Sequence, residues 1–183
     1  MKLLRFVLPA MCMALSMNAI SQNNFMKIMD PNQINGESRT TGFINWTEIM
    51  AFNGGSGFEI IMGGGGSAPG KAETKCFTVS LIQDKTTYWL KKEMYTGSSM
   101  TSVQFDFTKV TNQATKQTYY RLYMEDVMVS NIEEAVDEGG QSIINVSFVP
   151  AKFRYSYWAQ LPNGSLEPTP VVFGWDVMAN KIW

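Results

Sequence analysis

Phe77-Thr78-Val79-Ser80-Leu81 is the stretch on which the fold turns. Its apolar residues fall on every second position with hydroxyls between them, which is the period of a strand with one buried and one wet face. The same period recurs in Val103-Gln104-Phe105-Asp106-Phe107 and at Ile144, Val146 and Phe148, with Phe153, Tyr155 and Tyr157 following almost at once. Thr78, Ser80, Gln104 and Asp106 are therefore expected to face outwards. Towards the N-terminus, Ile44 to Phe52 alternates imperfectly, as a strand covered on both faces would. Phe25 to Met29 is a short opener closed by the turn signals Asp30-Pro31-Asn32 and Asn35-Gly36. Towards the C-terminus, Tyr119 to Ser130 reads as a long aromatic strand, and Val171, Phe173, Trp175 and Val177 mark the last one.

One segment has a different period. In Tyr88-Trp89-Leu90-Lys91-Lys92-Glu93-Met94-Tyr95, Leu90 and Met94 stand four apart, as a helix face requires. Asp84 or Thr86 can accept from the free N–H groups of the first turn, and Gly97 can take the left-handed conformation that ends it. So short a helix is marginal alone, so its apolar face is expected to plug an open end of a sheet structure. Together these elements describe a mainly β fold: a small β-barrel or two-sheet sandwich of about eight strands, with one short α-helix and a long Gly-rich extended loop.

That loop runs from Asn53 to Lys71. It holds a glycine pair, the apolar island Phe58-Glu59-Ile60-Ile61-Met62, and then Gly63-Gly64-Gly65-Gly66-Ser67-Ala68-Pro69-Gly70. Consecutive glycines lose the most backbone entropy on ordering and bring no side chain to bury, so a limb of this length needs a purpose. Phe58, Ile60, Ile61 and Met62, hinged by Gly63, Gly64, Gly65 and Gly66, read as an arm that docks outside its own domain as an added strand or apolar wedge. The alternative is an island that folds back as an edge strand.

The chain opens with a different kind of segment. Lys2 and Arg5 precede the apolar run Phe6 to Leu15 and then Ala19-Ile20-Ser21-Gln22, the layout of a signal peptide cut after Ser21. The run is shorter than the roughly 18 to 20 residues that span a bilayer, so no membrane anchor is expected. Residues 1–21 are thus read as leader and 22–183 as a single domain, exported to the cell exterior by way of the periplasm. The formal net charge is −1 and every acidic residue lies beyond the leader, so nothing draws the chain to nucleic acid. Only Cys76 lies beyond the leader, which leaves no internal disulfide.

The chemistry of the sequence is largely negative. There is no histidine, which removes Ser-His and Cys-His nucleophile schemes and the commonest zinc ligand. Gly65-Gly66-Ser67-Ala68-Pro69-Gly70-Lys71-Ala72 nearly spells a phosphate loop, but Ala72 replaces the Mg²⁺-binding hydroxyl and a strand follows where a helix is needed. Glu133, Glu134, Asp137 and Glu138 lack calcium-loop spacing and read as a solvated hairpin tip. Cys76, without a basic partner, reads as a small packed residue. The aromatics from Phe153 to Trp158 read as core or subunit contact, with a glycan or peptide platform as the alternative. No catalytic residue, cofactor or metal site is expected.

Several stretches carry a family resemblance: Phe25-Met26-Lys27-Ile28, Gly36-Glu37-Ser38, Ile44-Asn45-Trp46, Gly70-Lys71, Asp84-Lys85-Thr86 and the closing Gly174-Trp175-Asp176-Val177-Met178-Ala179-Asn180-Lys181. In this order, from Phe25 to Lys181, the chain resembles the haemolysin-coregulated protein (Hcp) family, the tube protein of bacterial type VI secretion. The end motif Gly174, Trp175, Asp176, Asn180 and Lys181 is the most specific part. The resemblance implies a barrel with one helix that forms homo-hexameric rings. These stack into a hollow tube that carries effector proteins in its lumen and meets spike and sheath components. Thr78, Ser80, Gln104 and Asp106 would then line the outside or the bore. The leader departs from the family pattern, in which tubes polymerise in the cytoplasm. A second expectation is therefore an exported binding module of the same ancestry acting at the cell surface or in the medium.

Overall fold

The computed structural model describes residues 23–61, 68–111 and 116–183. In chain order it contains β1 (Asn24–Asp30), β2 (Asn32–Ile34), β3 (Thr47–Asn53), β4 (Ser56–Ile61), β5 (Ala68–Thr74), β6 (Phe77–Ile82), α1 (Lys85–Thr96), β7 (Ser99–Val110), β8 (Lys116–Val136), β9 (Ser142–Tyr157), β10 (Val171–Asp176) and β11 (Lys181–Ile182). β9, β6, β3, β1, β7 and β8 pair in that order, and β8 pairs back onto β9 to close a six-stranded antiparallel barrel. Closure removes the open edges that an all-β chain must otherwise protect.

The period-two residues account for the core. Phe77, Val79 and Leu81 from β6, Val103 and Phe105 from β7, Leu122 and Met124 from β8, and Ile144, Val146 and Phe148 from β9 are fully buried and face one another across the barrel. Helix α1 closes one end, as its period requires: Leu90 is buried in the core, and Trp89 and Met94 pack on it. Asp84 is the N-cap, its carboxylate accepting from Thr86 N at 2.9 Å, and Gly97 ends the helix at φ 66°. The other end is filled by rings. Phe107 lies 5.1 Å from Tyr120, Tyr120 stacks 5.9 Å from Tyr155, and Phe153 lies 5.5 Å from Phe77.

Three expectations change in detail. Ile44 and Asn45 stand in a turn, with Asn45 at φ 63°, and the strand begins only at Thr47. The loop before it folds over the outside of β1, where Phe43 stacks on the buried Phe25 at 4.2 Å. The period-two runs at Ile144 and Phe153 belong to one continuous strand, β9. Its length serves two neighbours on one edge: residues Ile143 to Phe148 pair with β6 inside the barrel, and Lys152 to Tyr157 pair with β10 beyond it. Finally, Asp106 does not face solvent; it is 1% exposed.

Candidate assembly surface

The limb between β3 and β6 is a hairpin. β4 and β5 pair antiparallel with each other, from Ser56 opposite Thr74 to Ile61 opposite Ala68, and form a two-stranded sheet apart from the barrel's sheet. Phe58, Ile60 and Ile61 belong to β4; Met62, Gly63, Gly64, Gly65 and Gly66 lie outside the described residues. The loop expected from the sequence therefore has paired strands for legs, and its island has not folded back onto the edge of the barrel sheet. The legs meet at the root, where Lys75 N donates to Gly55 O at 3.0 Å. The hairpin leaves the barrel at the aromatic end, where Gly54 passes so close to Phe77 that a Cβ there would lie 2.6 Å from the ring.

Beside that root the sheet runs on past the barrel. Val171, Phe173 and Trp175 of β10 lie opposite Tyr157, Tyr155 and Phe153 of β9, so all six share the face that inside the barrel is core. Phe153 is buried, but Val171 and Phe173 are 70% and 49% exposed. A groove of about 150 Å³ opens here, lined by Ser56, Glu73, Thr74, Phe153, Phe173 and Trp175. The sequence reading placed Val171 and Phe173 in the last strand without assigning them a partner. The available signal was the period of two in Val171, Phe173 and Trp175, which puts all three on one face.

The end motif builds the turn that finishes this sheet. Asp176 Oδ1 accepts from Ala179 N at 2.7 Å, Asn180 takes φ 51°, and Lys181 pairs back with Asp176. Gly174 has no room for a Cβ, because the carbonyl oxygen of Trp183 sits against it while Trp183 N donates to Gly174 O at 3.1 Å. Trp183 is thereby laid across the outer wall, 4.6 Å under the Arg154 guanidinium and 6.4 Å from Tyr123. Gly36, Glu37 and Ser38 are architectural too. Gly36 N donates to Asn45 O at 2.8 Å, Glu37 Oε1 accepts from Lys85 N at the start of α1, and Ser38 Oγ donates to Glu48.

The outer wall also holds the buried ion pair. Arg121 on β8 lies opposite Asp106 on β7 and donates through Nε and Nη2 to its two oxygens, each at 2.7 Å. Gln104 Nε2 and Thr118 Oγ1 donate to the same carboxylate at 2.9 Å. The Asp106 hydrogen bond holds the Arg121 guanidinium above its usual pKa, against the opposing effect of burial. At the aromatic end, burial first and then Tyr155 and Tyr119 push Tyr120 up to about 12, and burial raises Tyr155. On the helix, Lys91 is paired with Glu134, whose hydrogen bond raises the lysine.

In a cleft of about 580 Å³, Glu48 is held by Asn23, Ser38 and Thr40. Glu133, Glu134, Asp137 and Glu138 surround the β8–β9 hairpin end, where Asp137 Oδ1 accepts from Gln141 N at 2.8 Å. Among the described residues, no three His, Cys, Asp or Glu side chains converge as metal ligands, and no helix is long and apolar enough to cross a membrane. Cys76 is exposed rather than packed, with Ser130 Oγ 3.7 Å from its sulfur. It sits just outside β6, where the chain has left the limb and not yet entered the core.

Comparison with known proteins agrees with this geometry. The fold is similar to that of a solved type six secretion system protein, with TM-score 0.79 and 20% identity over 89% of this chain and 100% of that one. It is similar to Hcp1 from Salmonella typhimurium, with TM-score 0.70 and 20% identity over 90% and 100% of the two chains. A type VI secretion system effector from Yersinia pestis gives TM-score 0.64 and 21% identity over 84% and 99%. No curated protein sequence matches. The profile of the family described as "Type VI secretion system effector, Hcp" matches residues 25–157. The chain belongs to the Hcp family, the structural tube proteins of type VI secretion, and not to a family of enzymes.

Proposed function

We propose that this subunit assembles head to tail into hexameric rings that stack into a hollow tube, with effector proteins carried in the lumen. The observation that supports the reading most is the pairing of two unlike features on one subunit: a hairpin limb apart from the barrel sheet, and an apolar sheet extension whose core-type face is open. A closed ring needs two such different patches meeting in rotation. Phe58, Ile60, Ile61 and Met62 with Gly63 to Gly66 form the limb's contribution. Spike and sheath components are the further partners this role implies.

The leader supports a route of export. Residues 1–21 have the charge, apolar run and small residues of a signal peptide, which would deliver subunits singly through the periplasm and leave rings to form outside. Electron microscopy of the purified protein tests the assembly: rings or stacked tubes are expected, and dispersed monomers would favour an exported binding module instead. N-terminal sequencing of protein from the medium tests the route. A start at Gln22 is the expected result, and an intact Met1 would point to export of ready-made tubes.

A further inference from the structure

Lys27 and Arg154 on the outer wall make no ion pair among the described residues, where the ion pairs are Lys91–Glu134, Lys92–Glu93 and Arg121–Asp106. Strand register sets these two cations in line. Lys27 of β1 lies opposite Gln104 of β7, Gln104 opposite Tyr123 of β8, and Tyr123 opposite Arg154 of β9. Their sequence neighbours Met26 and Ile28, Val103 and Phe105, Leu122 and Met124, and Phe153 are buried, so the four point outwards in one row. Three strand spacings of about 4.8 Å make the row about 14 Å long, with a positive charge at each end. The side chains are already held for a ligand. The Arg154 guanidinium lies 4.6 Å from the Trp183 ring and 5.8 Å from that of Tyr123, so it loses little freedom on meeting an anion. Lys27 lies 5.8 Å over Trp46. Gln104 donates Nε2 to Asp106 at 2.9 Å, which leaves its carbonyl oxygen to accept from a hydroxyl. A hollow of about 260 Å³ opens between Lys27, Thr101, Ser102, Gln104 and Tyr123.

We propose that this row is a binding site for a carboxylated oligosaccharide. A sugar ring rests on Tyr123, its hydroxyls meet Gln104 and Thr101, and its carboxylates meet Arg154 at one end and Lys27 at the other. An aromatic ring beside amide and hydroxyl groups suits the apolar face and polar rim of a sugar, and the cations select an acidic one. The row is longer than one sugar unit, so the ligand is an oligomer with spaced carboxylates. The charge around the row favours sparse anions over dense ones. Lys152, the next cation along β9, lies opposite Glu125 on one side and Asp176 on the other, and the formal net charge of the chain is −1. A nucleic acid, with a charge on every phosphate, would meet those carboxylates without the compensating basic surface that such binding needs. All the residues belong to one subunit, so the site does not depend on the ring.

Titration calorimetry on the purified full chain tests the proposal. The probe is a linear oligomer of galacturonic acid, and the control is its methyl ester, which keeps the sugar backbone and loses the charges. The acid is expected to bind, and the ester to bind at least about tenfold more weakly because two charged contacts are lost. Arg154→Gln and Lys27→Gln, each checked for the parent's fold by circular dichroism, are each expected to weaken the acid about fivefold. Tyr123→Ala is expected to weaken acid and ester alike. Acid and ester bound equally by the unaltered protein, or neither bound, would overturn the proposal. Acid binding that all three variants leave unchanged would lie elsewhere on the molecule and overturn this site. Single-stranded oligothymidylate bound as tightly as the acid, and weakened by the same substitutions, would mark a general anion surface and overturn the saccharide assignment.

Discussion

At the scale of single residues, Asp106 and Arg121 show how a polar pair can be made part of a wall. The carboxylate is nearly sealed, whereas the guanidinium keeps 36% of its surface and packs 5.7 Å from Trp158. Removing one partner is therefore unequal in cost. Arg121→Met strands a buried carboxylate and is expected to cost about 3–5 kcal/mol, with the remaining Gln104 and Thr118 donors keeping it nearer the lower end. Asp106→Asn leaves an arginine that can turn to water and is expected to cost about 1–3 kcal/mol. Urea unfolding of the two variants measures both, and equal losses would contradict the asymmetry. The tyrosines set a pH limit. Tyr120 moves from 10.0 to about 12, so the folded state holds the phenolic proton more tightly than the unfolded chain. That contribution is complete below about pH 10 and is lost as pH rises through about 12. Melting temperature should fall over this window, and Tyr120→Phe should flatten the fall. An unchanged alkaline slope in that variant would show that Tyr120 is not the group responsible.

At the scale of elements, legibility followed where the side chains point. β6, β7 and the first half of β9 were readable because Phe77, Val103 and Ile144 face a core while their neighbours face water, and the helix because Asp84 and Gly97 punctuate it. Three things were not readable. Phe43 covers the outside of β1 from a loop distant in sequence, so Phe25 is buried on a face that the pattern assigns to solvent. Asp106 is charged, and only its cross-strand register with Arg121 permits its burial. The limb's legs pair with each other even though glycine and proline weaken strand preference, because two adjoining segments close a hairpin at low entropic cost. The end motif resembled a family signature, and the structure supplies its physics. Gly174→Ala should push Trp183 off the outer wall and cost about 1–3 kcal/mol. Near-ultraviolet circular dichroism would follow the loss of the Trp183–Tyr123 pair, and an unchanged spectrum would contradict this role for Gly174.

At the scale of the whole molecule, the barrel closes without the limb, whose two strands pair only with each other. Gly55 and Lys75 already meet by a backbone hydrogen bond, so residues 56–74 can be replaced by a short Gly-Ser turn without pulling β3 from β6. The excised chain should keep its melting temperature within a few degrees. It should also remain monomeric under conditions where the intact chain assembles, as sedimentation velocity would report. Loss of folding on excision would mean that the limb belongs to the core. The most direct test is the mass in solution of the intact, purified protein, measured by light scattering across a size-exclusion peak. Six copies of the subunit, each no heavier than the 20.6 kDa full chain, or larger multiples of six, is the expected result. A peak that stays at one subunit mass at every concentration would contradict it.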